Sequence, residues 1–114
     1  MHEMSLAMNI VDLAVSEANA AGGQKINEIE LAVGTLAGVM VDSLAFCFEA
    51  VVKGTAAEGA RLKIIETHGK GKCRNCDQEF EVDSFFAQCP QCGEYMVDII
   101  QGRDLKVVSI TVDE

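Results

Sequence analysis

Two pairs of cysteines carry the clearest chemistry in this chain. Cys73 and Cys76 form one C-x-x-C unit, and Cys89 and Cys92 form a second after a gap of twelve residues. Such pairs turn tightly, so that both sulfurs of each point at one ion, and two of them make a tetrahedral four-sulfur site. The turn chemistry agrees: Asn75 precedes Cys76, and Pro90 and Gly93 each follow a cysteine of the second pair. Between the pairs, Phe80 and Val82 alternate with Glu79, Glu81 and Asp83, which suits the hairpin of a zinc ribbon.

Three other readings compete. Two disulfides would use the same cysteines, but a cytosolic chain keeps its thiols reduced. Iron could replace zinc, because "CPQCG" also resembles a rubredoxin knuckle; the module has few aromatics to shield an iron centre. Coincidence is the third. Zinc fits best, in a structural role: four thiolates close the coordination sphere and leave no position for chemistry. A module of this size buries too little surface to fold without its metal.

The second constellation is "MHE" at the start. His2 is one of only two histidines. It stands beside the α-amine of Met1 and the carboxylate of Glu3. Amine, imidazole and the intervening His2 amide nitrogen can chelate one ion, and nitrogen donors in a tetragonal arrangement suit Ni(II) or Cu(II). Glu3 could add an oxygen ligand or tune the site from outside the coordination sphere. Taken alone, a histidine near a chain end is an exposed residue on a fraying segment.

The elements that must position these groups follow from periodicity. Met4, Ala7, Met8, Val11, Val15 and Ala18 recur at helical spacing, and Gly22-Gly23 stops the helix. Met4 and Met8 are expected in the core. Residues 25–33 alternate as a strand, with Ile29, Leu31 and Val33 on one face. Asp42 is the expected N-cap of a second helix over 43–53, ended by Gly54, with Leu44, Cys47, Phe48 and Val51 on its apolar face. Residues 61–67 and 105–112 are further strands. The resulting fold class is α+β: a small, about three-stranded mixed sheet flanked by two helices, with an inserted zinc ribbon. Residues 1–68 and 103–114 form the α+β domain, and residues 69–102 the ribbon. The flanking glycines Gly69, Gly71 and Gly102 could let that module move, and His68 marks its entrance.

Composition narrows the function classes. The chain has 114 residues and a hydrophobic fraction of 49%, enough for a core. Its net charge of −9 disfavours nucleic acid. The ribbon itself carries three basic residues against six acidic ones, a net −3. No apolar run approaches the ~20 residues of a membrane span, and no secretory signal opens the chain, so a cytoplasmic location is expected. No Ser-His-Asp or Cys-His pairing and no phosphate loop is present, which points away from an enzyme.

The opening Met-His-Glu, the amphipathic first helix, the paired cysteines and "VGTLAGVMVDSLAFCFEAVVKGTAAEGARLKI" together resemble the HypA/HybF family of nickel-delivery accessory proteins for [NiFe]-hydrogenase maturation. The resemblance covers essentially the whole chain. It implies that His2 is the key nickel ligand, that the Met1 amine and backbone nitrogens assist, and that Glu3 belongs to the site. It implies Cys73, Cys76, Cys89 and Cys92 as structural zinc ligands. The implied partners are a maturation GTPase of the HypB type and the hydrogenase large-subunit precursor, with urease served in some organisms. The implied assembly is a monomer or homodimer.

Overall fold

The computed structural model describes residues 2–23 and 25–113; Met1, the amine donor expected at the nickel site, lies outside them. Two helices and six strands follow in the order α1 (Glu3–Ala20), β1 (Lys25–Gly34), α2 (Val41–Val51), β2 (Arg61–Thr67), β3 (Gly69–Cys73), β4 (Glu79–Val82), β5 (Val97–Gln101) and β6 (Leu105–Asp113). They build two three-stranded sheets, ordered β2-β1-β6 and β4-β3-β5. The chain divides into two compact units. The first comprises Met1–Leu31, Val39–Ile65 and Lys106–Glu114, and the second Ala32–Gly38 and Glu66–Leu105. Among the described residues, no helix is long and apolar enough to cross a membrane.

In the first unit, α1 packs against α2, and the buried face of α1 is rich in small side chains. Ala7, Val11, Ala14 and Ala18 are almost fully buried, as are Ile26, Ile29 and Leu31 of β1 and Leu44 and Phe48 of α2. Alanines at helical spacing let neighbouring backbone approach closely, which suits a chain poor in aromatics. Met4 and Met8 depart from expectation: they are 46% and 51% exposed. A helix buries a stripe roughly 100° wide, and these two lie on its flank rather than its centre. Cys47 is half-buried beside Leu44 and Phe48.

The helix ends show their causes. At the end of α1, Gly22 adopts φ +80°. Its N–H bonds the carbonyl of Asn19, and the Gly23 N–H bonds that of Ala18. This paired closure satisfies carbonyls that the helix leaves free. The start of α2 corrects the sequence reading. The helix begins at Val41, its N-cap is Met40 rather than Asp42, and Met40 makes no side-chain cap. Asp42 sits inside the first turn, where its charge still complements the helix dipole. The N–H of the cap residue is itself satisfied from a distance: Oε2 of Glu3 accepts the Met40 backbone N–H at 3.2 Å.

The second unit has little apolar interior. Its buried hydrophobic residues, among those described, are Val33, Cys73, Val82 and Cys89. Four of its glycines sit where a side chain would collide with a neighbour. A side chain at Gly34 would run into the Gly102 carbonyl, one at Gly102 would lie 2.5 Å from Gly69 Cα, and one at Gly69 would lie 2.5 Å from the Val82 carbonyl. Gly71 in β3 has Val97 Cγ1 in the place of its missing Cβ, at 2.6 Å. Three passages of backbone therefore meet at distances only glycine allows. The mobility expected of Gly69, Gly71 and Gly102 has no support in this packing.

Candidate metal centres

The two cysteine pairs are built alike. β3 delivers Cys73 into the first turn, and β4 leaves it, so the Cys73–Cys76 knuckle is the connection of the β3–β4 hairpin. The strands pair antiparallel, with Lys72 opposite Glu79 and Gly69 opposite Val82. The hairpin thus encloses the first knuckle, whereas the twelve-residue spacing suggests one between the two knuckles. The second knuckle leads into β5, which pairs antiparallel with β3 on its other edge. β3 is therefore the centre of this sheet.

Within each knuckle the backbone repeats the same two bonds. The Cys73 N–H donates to the Gln78 carbonyl and the Asp77 N–H to the Cys73 carbonyl, both at 2.9 Å. The Cys89 N–H donates to the Glu94 carbonyl at 2.8 Å and the Gly93 N–H to the Cys89 carbonyl at 2.9 Å. Arg74 ties the first knuckle to β5. Its N–H donates to the Met96 carbonyl at 2.8 Å, and its guanidinium reaches one oxygen of Asp98 at 2.8 and 2.7 Å.

These turns bring all four sulfurs together within 4.8 Å of one another. Cys73 and Cys92 are 3.5 Å apart, and Cys76 and Cys89 are 3.6 Å apart. Zn–S bonds of about 2.3 Å require S···S edges of about 3.8 Å in a tetrahedron, so the cluster has the size of such a site. No pair is joined as a disulfide. Cys73 and Cys89 are buried, and Cys76 and Cys92 are more exposed.

The thiols are electrostatically unequal. Cys92 is drawn down to about 6, first by the Glu94 N–H and then by the Asn75 side chain, against an opposing desolvation. At Cys76 the Gln78 N–H pulls the same way, but desolvation and the three neighbouring thiols outweigh it and push the group up to about 12. Four sulfurs this close cannot all ionise without a cation between them, which is the charge arrangement a divalent ion resolves.

The N-terminal group is open rather than enclosed. His2 is the N-cap of α1, extended at φ −89° and ψ 90°, and exposed, with no side-chain capping bond. Its carbonyl accepts the Leu6 N–H at 3.1 Å and so starts the helix. Glu3 is the first helical residue. The Met40 N–H, ahead of a smaller opposing desolvation, holds its carboxyl below the usual range. Among the described residues, the four cysteines are the one group of three or more metal-type side chains within ligand distance, and His2 and Glu3 do not join such a group. His68 is exposed beside β3, and its carbonyl accepts the Gln101 side-chain N–H at 3.0 Å. Two contributions escape sequence reasoning. Asp77, in the left-handed position after Cys76, is signalled only by its equivalence to Gly93. Met40 acts through its backbone and leaves no side-chain signal.

Comparison with known proteins agrees with this architecture. The family described as hydrogenase/urease nickel incorporation, metallochaperone, hypA matches residues 1–112. The hydrogenase maturation factor HypA of Chlorobaculum tepidum is 52% identical over 113 residues, covering 99% of this chain and 100% of the relative. That of Chlorobium luteolum is 45% identical over 114 residues, covering 100% and 97%. The solution structure of the Ni metallochaperone HypA from Helicobacter pylori has a TM-score of 0.70 at 20% identity, covering 98% of this chain and 97% of that one. A second solution structure of a HypA protein reaches 0.74 at 22% identity, covering 98% and 96%.

Proposed function

The chain belongs to the HypA family of nickel-incorporating metallochaperones, and we propose that it binds Ni(II) at its N-terminus and delivers it for [NiFe]-hydrogenase maturation. The observation that carries this reading is the placement of His2. It heads a helix anchored to a buried core, and its imidazole is exposed and free of a capping bond. An anchored helix with an open end can present a ligand without burying it.

The chemistry follows from the donors. The Met1 amine, the His2 amide nitrogen and the His2 imidazole form a local chelate of the kind that Ni(II) favours. The amide costs the helix nothing, because the N–H of an N-cap has no intrahelical partner. The α-amine and the imidazole must both be deprotonated to bind, so acidification competes with the metal for the donors and releases it. An open site whose ligands all come from one chain end suits exchange with an acceptor. Glu3 belongs to the same site.

Cys73, Cys76, Cys89 and Cys92 would hold Zn²⁺, which supplies folding energy to a unit with few buried apolar residues. Four thiolates would leave that ion no open position for catalysis. The partners are a maturation GTPase of the HypB type and the hydrogenase large-subunit precursor in the cytoplasm, and urease maturation in organisms that have it. The GTPase supplies hydrolysis that this chain has no phosphate loop to perform.

Nickel titration of protein with its authentic N-terminus, against His2→Ala and against an N-terminally tagged form, tests the assignment. Both altered proteins lose affinity. Equal binding by His2→Ala overturns the nickel site, and full affinity in the tagged protein removes the Met1 amine from it. Metal analysis of the purified chain gives zinc without iron.

A further inference from the structure

A nickel chelate built from atoms of residues 1 and 2 alone leaves the Glu3 carboxylate uncommitted. The structure gives this carboxylate a different partner. Oε2 of Glu3 accepts the N–H of Met40 at 3.2 Å, across 37 positions of chain. Met40 is the N-cap of α2, and a methionine side chain cannot serve as the acceptor that Asp, Ser or Thr provides there. Glu3 does not replace that acceptor; it takes the N–H of the cap residue itself and so ties the start of α2 to the first residue of α1.

Two physical problems at this chain end have the same answer. A terminal ligand frays unless something beyond its own helix holds it. A dication beside the N-terminus of α1 also meets the positive end of the helix dipole. A carboxylate at the first helical position offsets that field, and its bond to Met40 fixes the helix start to a second element.

We propose, resting on the assignment of nickel to the N-terminus, that Glu3 is a positioning residue: it straps the nickel-bearing chain end to the start of α2 through the Met40 N–H and supplies the counter-charge for the metal, without ligating it. The Met40 bond therefore persists when nickel binds. The donor set is the same with or without the Glu3 side chain, while the affinity depends on it.

The test uses the full zinc-loaded chain with an authentic N-terminus, as wild type, Glu3→Gln and Glu3→Ala. Glutamine keeps an acceptor oxygen and removes the charge. In the nickel-free protein, the Met40 amide keeps its NMR shift and exchange protection in Glu3→Gln and loses both in Glu3→Ala. With Ni(II) added, Met40 protection persists in the wild type, and the ligand-field absorption is the same in all three. Affinity falls about tenfold in Glu3→Ala, as for other groups that orient a ligand, and less in Glu3→Gln. An unchanged Met40 amide in nickel-free Glu3→Ala overturns the strap. An altered nickel spectrum in Glu3→Gln, or loss of Met40 protection on nickel binding, makes Glu3 a ligand and overturns the proposal. Equal nickel binding by His2→Ala brings down the underlying nickel assignment instead, and leaves the nickel-free Met40 result as a separate observation.

Discussion

Asp77 and Gly93 occupy the same place in the two cysteine knuckles. Each follows the second cysteine of its pair, and each donates its N–H to the carbonyl of the first at 2.9 Å. Each also has a left-handed backbone, φ 63° at Asp77 and 78° at Gly93. Glycine reaches that region freely, and aspartate is one of the few other residues that visits it. The two halves of the sulfur cluster are thus one turn used twice, with a conformational cost at one copy.

That asymmetry predicts opposite responses to substitution. Gly93→Ala meets no steric obstacle, its nearest neighbour being Gln88 Nε2 at 3.6 Å from an added Cβ. It forces alanine into the left-handed region at about 1–2 kcal/mol. Asp77→Gly relieves strain at the equivalent position and is neutral or slightly stabilising. Chelator competition and thermal melts of both variants check this. A larger loss in Asp77→Gly than in Gly93→Ala would show that the Asp77 carboxylate matters more than its backbone.

Removing the metal should melt one unit before the other. The second unit buries Val33 and Val82 with two cysteines, whereas the first buries residues from α1, β1 and α2. In Cys73→Ala, or in wild type treated with a strong chelator, amide protection is lost through β3, β4 and β5 and retained in α1, α2 and β1. Hydrogen exchange with residue-level readout checks it. Uniform loss in both units would mean that the first unit also depends on zinc.

Periodicity made α1 and β1 legible. The alternation of Ile29, Leu31 and Val33 and the helical spacing of Ala7, Val11, Ala14 and Ala18 each report a buried face, and those residues are buried. The cysteine spacing likewise foretold that four sulfurs would meet. Legibility stopped where the cause was nonlocal or lay in the backbone. β3 reads "GKGKC", which has no apolar alternation and looks like a linker, yet it is the central strand of its sheet. Its glycines are there because side chains and backbone of neighbouring strands fill the space. α2 starts before Asp42, and the one side-chain bond at its start comes from Glu3, 37 positions away, which no local pattern signals. Met4 and Met8 obey helical spacing but miss the centre of the stripe, a distinction of tens of degrees that spacing alone does not resolve.

The Glu3–Met40 bond predicts a pH response in the first unit. The bond favours the ionised carboxylate, so the group lies below its usual value of 4.5. A carboxyl lowered on folding adds stability that is fully present above the unfolded value, and this is lost as pH falls through the folded one. The Met40 amide shift is therefore flat near neutral pH and moves on acidification, with its midpoint below 4.5. In Glu3→Gln the same resonance does not titrate. A Met40 shift that follows the same curve in both proteins would assign the change to another group.

The glycine junction of the second unit predicts the largest single loss. Gly34 faces the Gly102 carbonyl so closely that an added methyl group has no room, and the obstacle is backbone, which cannot rotate aside. The Gly34 N–H also donates to the Asp104 carbonyl at 2.8 Å, and the Leu36 N–H to the Gly102 carbonyl at 2.8 Å, so relief by shifting the chain would break bonds on both sides. Gly34→Ala should cost about 3 kcal/mol or more, the upper end for overpacking. Gly38 provides the contrast: its φ of +72° strains any side chain, but an added Cβ has no neighbour within 4 Å. Gly38→Ala should cost about 1–2 kcal/mol, through backbone conformation alone. Chemical denaturation of the zinc-loaded proteins ranks the two. A Gly38→Ala loss equal to that of Gly34→Ala would mean that left-handed strain, and not the close approach of Gly34 to Gly102, governs this junction.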